Sequence, residues 1–241
     1  GWCDHVVSDG KGYLQRITDP RPPLTAWIGV LGVPGMTAWF GLHRVAAVKD
    51  GETLLVTSAA GPVGASAGQI GAKAGMRVIG VAGGAEKCAW LIREAGFHHA
   101  IDRHAVPDLA AAVADLAPKG VDVLFDNVGA ETIDAVLPLM RPRGRIVVSG
   151  QVADYSRAPS ARPGLTHTDR FITHRLRMEG LVVFDDIRGF PEAQATMAGW
   201  IAEGSFVFRE ERFKGLDAMP EAFCGLFESS SAFGRRIVDI A

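Results

Sequence analysis

Thr53-Leu54-Leu55-Val56 is an apolar run that passes through Thr57-Ser58-Ala59-Ala60 into Gly61-Pro62-Val63-Gly64, and a small-residue helical run starting at Ala65 leaves the turn. Few architectures accommodate that order. A buried strand that stops at a glycine turn and restarts as a helix carries backbone N–H groups to the C-terminal edge of a sheet. An anion can rest there on the helix N-terminus. Gly61 permits close approach of a phosphate, and Gly64 permits close packing of the helix on the strand. Read as G-x-G-x-x-G, the pattern has Ala59 in its first position, and a strand-to-helix turn without any ligand has a similar appearance.

The rest of the chain repeats the alternation. Strands are predicted over 53–58, 77–82, 100–102, 121–127 and 145–149, with helices over 63–74, 86–95, 107–116 and 132–140. Near-continuous apolar strands joined to helices by short loops predict a parallel sheet covered on both faces: an α/β, doubly wound, Rossmann-type domain. The pattern changes at Gly150. Residues 151–167 predict a long surface loop, a segment that is usually functional when it occurs in a compact domain. A strand over 178–183, a helix over 190–203 and a strand–helix–strand series over 206–213, 219–228 and 236–240 follow. Residues 24–48 predict helix broken at 32–35, and Trp2, His5, Val6 and Val7 resemble the end of a strand.

Composition bounds the partners. With 22% charged residues and a formal net charge of −2, no basic face is expected, which argues against nucleic acid. Residues 24–48 come nearest to a membrane span, but Pro34, His43 and Arg44 interrupt them. No signal peptide is expected. Cys3, Cys88 and Cys224 are far apart and form neither a zinc pattern nor a disulfide framework, so a reducing cytoplasm is the expected compartment. His98, His99 and His104 match no standard metal spacing and read as solvated histidines.

Cofactor chemistry follows from the second strand. A site selective for NAD carries Asp or Glu at its end, roughly 20 residues past the glycine turn. Here the strand runs into Gly83-Gly84. The missing acid leaves room for a 2′-phosphate, and Lys87 or Arg103 can supply the cation, so NADP is expected over NAD. Lys87 also fits a solvated helix charge, and Glu86 fits a first-turn residue favoured by the helix dipole. Asn127, in Asp126-Asn127-Val128-Gly129, fits a contact to ribose or nicotinamide and equally fits turn chemistry. Ser149-Gly150 ends the fifth strand in the same way. Tyr155, one of two tyrosines, fits a donor to a developing enolate oxygen or an amphipathic surface residue.

Five stretches together resemble one family: Val33-Pro34-Gly35-Met36-Thr37-Ala38-Trp39-Phe40-Gly41-Leu42, the glycine turn, Glu86-Lys87, Phe125-Asp126-Asn127-Val128-Gly129 and Arg177-Met178-Glu179-Gly180. They are similar to the zinc-independent medium-chain reductases, in the branch of prostaglandin reductases, leukotriene hydroxydehydrogenase, plant alkenal double-bond reductases and bacterial curcumin reductases. The resemblance implies NADPH-dependent reduction of the C=C bond of an α,β-unsaturated ketone or aldehyde, without a metal, by a homodimer joined at sheet edges. By position it implies cofactor contacts at Thr37, Ala60, Gly61, Val63, Gly64, Gly83, Lys87, Arg103, Asn127, Ser149, Gly150, Tyr155, Leu181, Val182 and Val183, with Tyr155 steadying the enolate. Arg103 stands where the family often has Tyr, Trp39 replaces the commoner Tyr, and Ala232 stands where Asn is common.

The resemblance also implies a division of the chain. Residues 1–23 correspond to the margin of a GroES-like substrate domain, 24–205 to the NADP-binding domain, and 206–241 to a segment returning to the substrate domain. Most of that GroES-like domain has no counterpart here. The alternative to an active reductase is therefore a module that binds NADPH without turnover. An alcohol dehydrogenase is a third reading, disfavoured because no zinc-ligand constellation is present.

Overall fold

The computed structural model describes residues 2–227 and 233–240. Six strands, β1 (Thr53–Val56), β2 (Arg77–Ala82), β3 (His99–Asp102), β4 (Val121–Asp126), β5 (Met140–Val148) and β6 (Arg177–Gly180), form one sheet in the order β3-β2-β1-β4-β5-β6. Every pairing is parallel. This is the doubly wound Rossmann-type order. The chain moves outward from β1 to β3, then returns to the other side of β1 at β4. The reversal opens a crevice at the C-terminal ends of β1 and β4, where ligands bind in such sheets.

Burial on both faces explains the apolar strands. Leu54 and Val56 face a core built with α1 (Val33–Phe40), α2 (Pro62–Lys73), α3 (Ala85–Arg93) and α7 (Phe190–Ala202), while Leu55 faces one built with α4 (Leu109–Leu116) and α5 (Ala130–Val136). Successive strand side chains point to opposite faces, so a central strand must be apolar throughout. The buried ring of Phe97 holds α2 against β2. It fills the space where a Cβ on Gly68 would lie, and a Cβ on Gly80 would come within 2.8 Å of it.

Several expected boundaries move. The fourth helix starts at Leu109, not 107, because the Asp108 side chain caps it by accepting from the Ala111 N–H at 3.1 Å. Strand β5 starts five residues early, at Met140, across a register shift between Val121 and Val123. Its Arg145 pairs with Glu52 at 2.6 Å and donates to the Ala46 carbonyl at 2.8 Å, with both ionic groups mostly buried. The expected strand over 178–183 is Arg177–Gly180, and a 3₁₀ segment (Val183–Gly189) follows. The expected strand over 206–213 is β7 (Glu210–Lys214), because Phe206 is buried and stacks on Trp200. It pairs in parallel with β8 (Arg235–Asp239), apart from the main sheet. Between them lies α8 (Met219–Cys224); residue 228, the expected helix end, and Ala232 fall outside the described residues.

Two further differences lie near the start. The helical break falls at Gly29–Gly32, between a 3₁₀ turn (Leu24–Ile28) and α1, not at 32–35. Helix α1 runs on into a π turn over Gly41–Ala46. Residues 2–23 form no strand, because no strand among the described residues offers them a ladder. They touch the body at points such as Tyr13 on Phe190, with centroids 5.6 Å apart, and Gln15 on Gln194 at 2.6 Å.

Candidate functional site

The glycine turn lies at the C-terminal end of β1. Ser58 takes a left-handed conformation (φ 48°), the Ala59 N–H donates to the Val81 carbonyl, and the Gly61 N–H donates to the Ser58 carbonyl. Gly61 is the N-cap of α2, Pro62 follows, and no side chain caps the helix. The first helical bond runs from the Ala65 N–H to the Gly61 carbonyl at 2.8 Å, leaving the N–H groups of Val63 and Gly64 without helical partners. The two glycines differ. A Cβ on Gly64 would overlap the Ser58 carbonyl oxygen and stand 2.8 Å from Ala59 Cα, so this position needs glycine for packing alone. A Cβ on Gly61 would meet nothing closer than 3.3 Å, so its open side is space in front of the helix N-terminus. The segment that carries β7 and β8 borders that space. The Gly234 N–H donates to the Ala60 carbonyl at 3.2 Å, and Arg209 and Arg235 line the same cleft as Gly61.

A polar knot ties the ends of β1, β4 and β5. The Thr57 hydroxyl donates to Asp126 Oδ1 at 2.8 Å, and the Val128 and Gly129 N–H groups donate to Oδ2 at 3.2 and 2.8 Å. Burial pushes the Asp126 carboxyl up to about 6 in spite of these donors. Asn127 Nδ2 donates to the Thr57 carbonyl at 2.7 Å, and the Ser149 hydroxyl donates to Asn127 Oδ1 at 2.5 Å. The Asn127 carboxamide thus braces three strand ends. The loop after β5 is tied back by the Val152 N–H on the Asn127 carbonyl and the Ala153 N–H on the Val128 carbonyl. Asp154, buried beneath the loop, pairs with Arg157 at 3.1 Å. Above this anchor Tyr155 is 66% exposed, with its Oη 3.4 Å from the Gln151 N–H and from where a Cβ on Gly150 would be. Asn127, Ser149, Gly150 and Tyr155 are therefore one cluster.

At the end of β2, a Cβ on Gly83 would stand 2.8 Å from His104 Cε1 and 3.3 Å from Arg103 Nε. Asp102 Oδ1 accepts the Gly84 N–H at 2.8 Å and the His104 N–H at 3.0 Å, and these donors hold its carboxyl below the usual range. Lys87 is half-buried on α3. The remaining expected contacts are less directly disposed. The Thr37 hydroxyl is spent on the Val33 carbonyl at 2.8 Å. Leu181 and Val183 pack into the core, while Val182 between them is exposed.

The family described as zinc-binding dehydrogenase matches residues 62–202, from the first turn of α2 to the end of α7. The chain belongs to the zinc-binding dehydrogenase family. A relative of this family member is the NADPH-dependent curcumin reductase of Escherichia coli (strain K12), 40% identical over 248 residues, covering 100% of this chain and 70% of the relative. Prostaglandin reductase 1 of Bos taurus is 36% identical, covering 99% and 72%. The 2-alkenal reductase (NADP(+)-dependent) of Nicotiana tabacum is 36% identical, covering 100% and 69%. The chain thus lies in the branch of curcumin, prostaglandin and alkenal reductases. The crystal structure of CurA in complex with NADPH from Vibrio vulnificus superposes with a TM-score of 0.89 at 37% identity, over 100% of this chain and 72% of that one.

Among the described residues of this dehydrogenase-family chain, no three His, Cys, Asp or Glu side chains are grouped to hold a metal ion. The histidines are not simply solvated. His98 Nδ1 accepts the Val78 N–H at 3.1 Å, and His99 Nε2 lies 2.9 Å from Arg77, which ties β3 to β2. Asp154 is the anchor that sequence reasoning passed over. Its position beside Tyr155, in a polar loop, carries no signal that it is buried.

Proposed function

We propose that this chain is the cofactor-binding part of an NADPH-dependent reductase that saturates the C=C bond of an α,β-unsaturated ketone or aldehyde. The observation that carries the reading is the strand-β2 end. It has no acid, and Arg103 lies over Gly83. The named activities of the curcumin, prostaglandin and alkenal reductases support the substrate class.

The residues fit such a dinucleotide. The uncapped start of α2 and the open side of Gly61 suit a pyrophosphate, held by the backbone of Ala60, Gly61, Val63 and Gly64. Arg103 and Lys87 suit the 2′-phosphate. Thr37, Asn127, Ser149, Gly150 and Leu181 to Val183 border the nicotinamide side. When bound, the reduced nicotinamide supplies the hydride that the substrate's β-carbon receives. Tyr155 donates a hydrogen bond to the carbonyl oxygen as negative charge builds there. The α-carbon takes its proton from solvent or from Tyr155, whose side chain is exposed to solvent. Ser149 and Asn127 hold the floor of the cluster in place, and the Asp154–Arg157 pair holds the loop that carries the phenol.

Residues 1–23 and 206–241 are assigned to the margins of a GroES-like substrate domain, and 24–205 to the NADP domain. The lack of a ladder for residues 2–23 and the separation of β7–β8 from the main sheet support this division. A homodimer through edge strands of this sheet is part of the same reading, supported by the edges that β3 and β6 leave unpaired among the described residues. The free thiols of Cys3, Cys88 and Cys224 support a cytoplasmic location. No described helix is long and apolar enough to cross a membrane.

The second reading, a module that binds NADPH without turnover, is favoured by the exposed, strandless course of residues 2–23. Fluorescence titration with NADPH and NADH, followed by addition of 3-buten-2-one, tests both. The reductase reading expects tighter NADPH binding and NADPH consumption on adding the enone. NADPH binding without consumption selects the module. Tighter NADH binding overturns the cofactor assignment.

A further inference from the structure

Two buried carboxylates, Asp126 and Asp154, lie at the C-terminal end of β4 and meet on one residue. Asp126 Oδ2 accepts the Gly129 N–H at 2.8 Å, and a Cβ on Gly129 would stand 2.7 Å from Asp154 Oδ2. Asp126 is 0% exposed and Asp154 3%. Gly129 takes φ 133°, a backbone conformation that favours glycine, and this leaves room for both acids. The grip continues to the phenol. Asp126 Oδ2 also holds the Val128 N–H, the Val128 carbonyl holds the Ala153 N–H at 3.1 Å, and Tyr155 follows two residues on.

Little opposite charge balances the pair. The loop brings Arg157, which reaches Asp154 at 3.1 Å but is shared with Glu131 of α5 at 3.3 Å. Asp134, further along α5, is engaged by Thr166 and His167. From β1 and β5 come only the uncharged hydroxyls of Thr57 and Ser149. Among the described residues no cation pairs with Asp126. Burial raises its carboxyl to about 6 against its three donors, and the Asp154 charge pushes the same way. A proton on Oδ1 can reverse the Thr57 bond and leave both N–H bonds to Oδ2 in place.

We infer that Asp126 is a positioning residue for Tyr155: with its proton it grips the 127–129 turn on which Asp154 seats the loop, and without it the two like charges repel across Gly129 and loosen the phenol. The neutral form holds the loop in acid, and the ionised form releases it as the pH rises. The consequence for turnover rests on the reading of Tyr155 as the group that meets the substrate oxygen.

The chain has two tyrosines, Tyr13 and Tyr155. Fluorine NMR of full-length protein labelled with 3-fluorotyrosine therefore follows the loop line against Tyr13, and Tyr155→Phe assigns the lines. In wild type the Tyr155 line is expected to move in one step centred at about 6. Asp126→Asn is expected to abolish the step, and Asp154→Asn to move its centre to lower pH by removing the repelling charge. A Tyr155 line that does not move in wild type overturns the inference. So does a step that survives in Asp126→Asn, or, should that variant not fold, a centre that Asp154→Asn leaves unmoved. Turnover of 3-buten-2-one, read in parallel, is expected to fall about fivefold across the step while NADPH affinity stays within about twofold. A kcat that ignores the step removes Asp126 from positioning. A chain that shows the step and consumes no NADPH ends the reductase reading and leaves the grip on the loop standing.

Discussion

Alanine at Gly64 and alanine at Gly61 should separate packing from binding within one turn. The Gly64→Ala methyl would overlap the Ser58 carbonyl oxygen and press on Ala59 Cα at 2.8 Å, both backbone atoms with little freedom to yield. Overpacking of this kind costs about 1–3 kcal/mol. For a chain of this length each kcal/mol lowers Tm by roughly 2–4 °C, so the expected fall is about 2–12 °C. The Gly61→Ala methyl finds its nearest neighbour at 3.3 Å, a contact that yields by a few tenths of an ångström. Its main stability cost is a poorer N-cap, about 0.5–1 kcal/mol. That methyl instead enters the space before the uncapped helix, and NADPH affinity should fall about tenfold or more. Thermal unfolding with and without NADPH reads both effects. At a hundred times its Kd the cofactor adds about 2.7 kcal/mol to the native state. Gly64→Ala should start lower and still rise with NADPH; Gly61→Ala should start near wild type and rise little. If both variants lose the same Tm, or Gly61→Ala keeps the full NADPH-induced rise, the division of labour between the two glycines is wrong.

Three further outcomes are expected. Tyr155→Phe should lower turnover of an enone while leaving NADPH affinity within about twofold, since the phenol is assigned to the substrate oxygen; an unchanged rate removes it from the reaction. The Asp126 carboxyl titrates at about 6 against an ordinary 3.8, so its folded form prefers the proton. Its contribution to stability is therefore greatest below about pH 4 and is lost as the pH rises through 6, by at most about 3 kcal/mol. Asp126→Asn, with its carbonyl taking the Val128 and Gly129 N–H groups, should flatten urea stability between pH 4 and 6; a slope as steep as wild type's contradicts this. Arg145→Ala leaves the mostly buried Glu52 without its partner and should cost about 2–3 kcal/mol in urea unfolding. Burial alone would raise the Glu52 carboxyl, but Arg145 leaves it below its usual value, so wild type loses this contribution as the pH falls through that lowered value and Arg145→Ala should not.

The sheet was legible because its strands are buried on both faces. Leu54, Leu55 and Val56 announce a strand without any partner being known. The start of β5 was not legible, since Met140 and Gly144 are buried but Arg141-Pro142-Arg143 between them are exposed, which leaves no apolar pattern. The opening residues misled for the opposite reason. Val6 and Val7 have strand chemistry, yet a strand exists only where another completes its ladder. At the site, glycines and strand ends could be placed from the alternation alone. The role of Asn127 could not, because a bracing carboxamide and a ligand-binding one share the same letter. Only the bonds to Thr57 and Ser149 distinguish them. His104 reads from the sequence as a solvated histidine, and nothing there signals that its ring lies over Gly83, twenty-one residues earlier.

The ring of Phe97 has a consequence for how such a chain can change over time. It occupies the notch of a glycine on α2 and the notch of another on β2 at once. No one of Gly68, Gly80 and Phe97 can be exchanged freely while the others stay. Alanine at either glycine meets the ring, and a smaller residue at 97 leaves a void between helix and sheet. The three positions form one inherited unit. A drift to alanine at 68 becomes acceptable only in a background where residue 97 has already shrunk, so the order of substitutions is constrained as well as their identity.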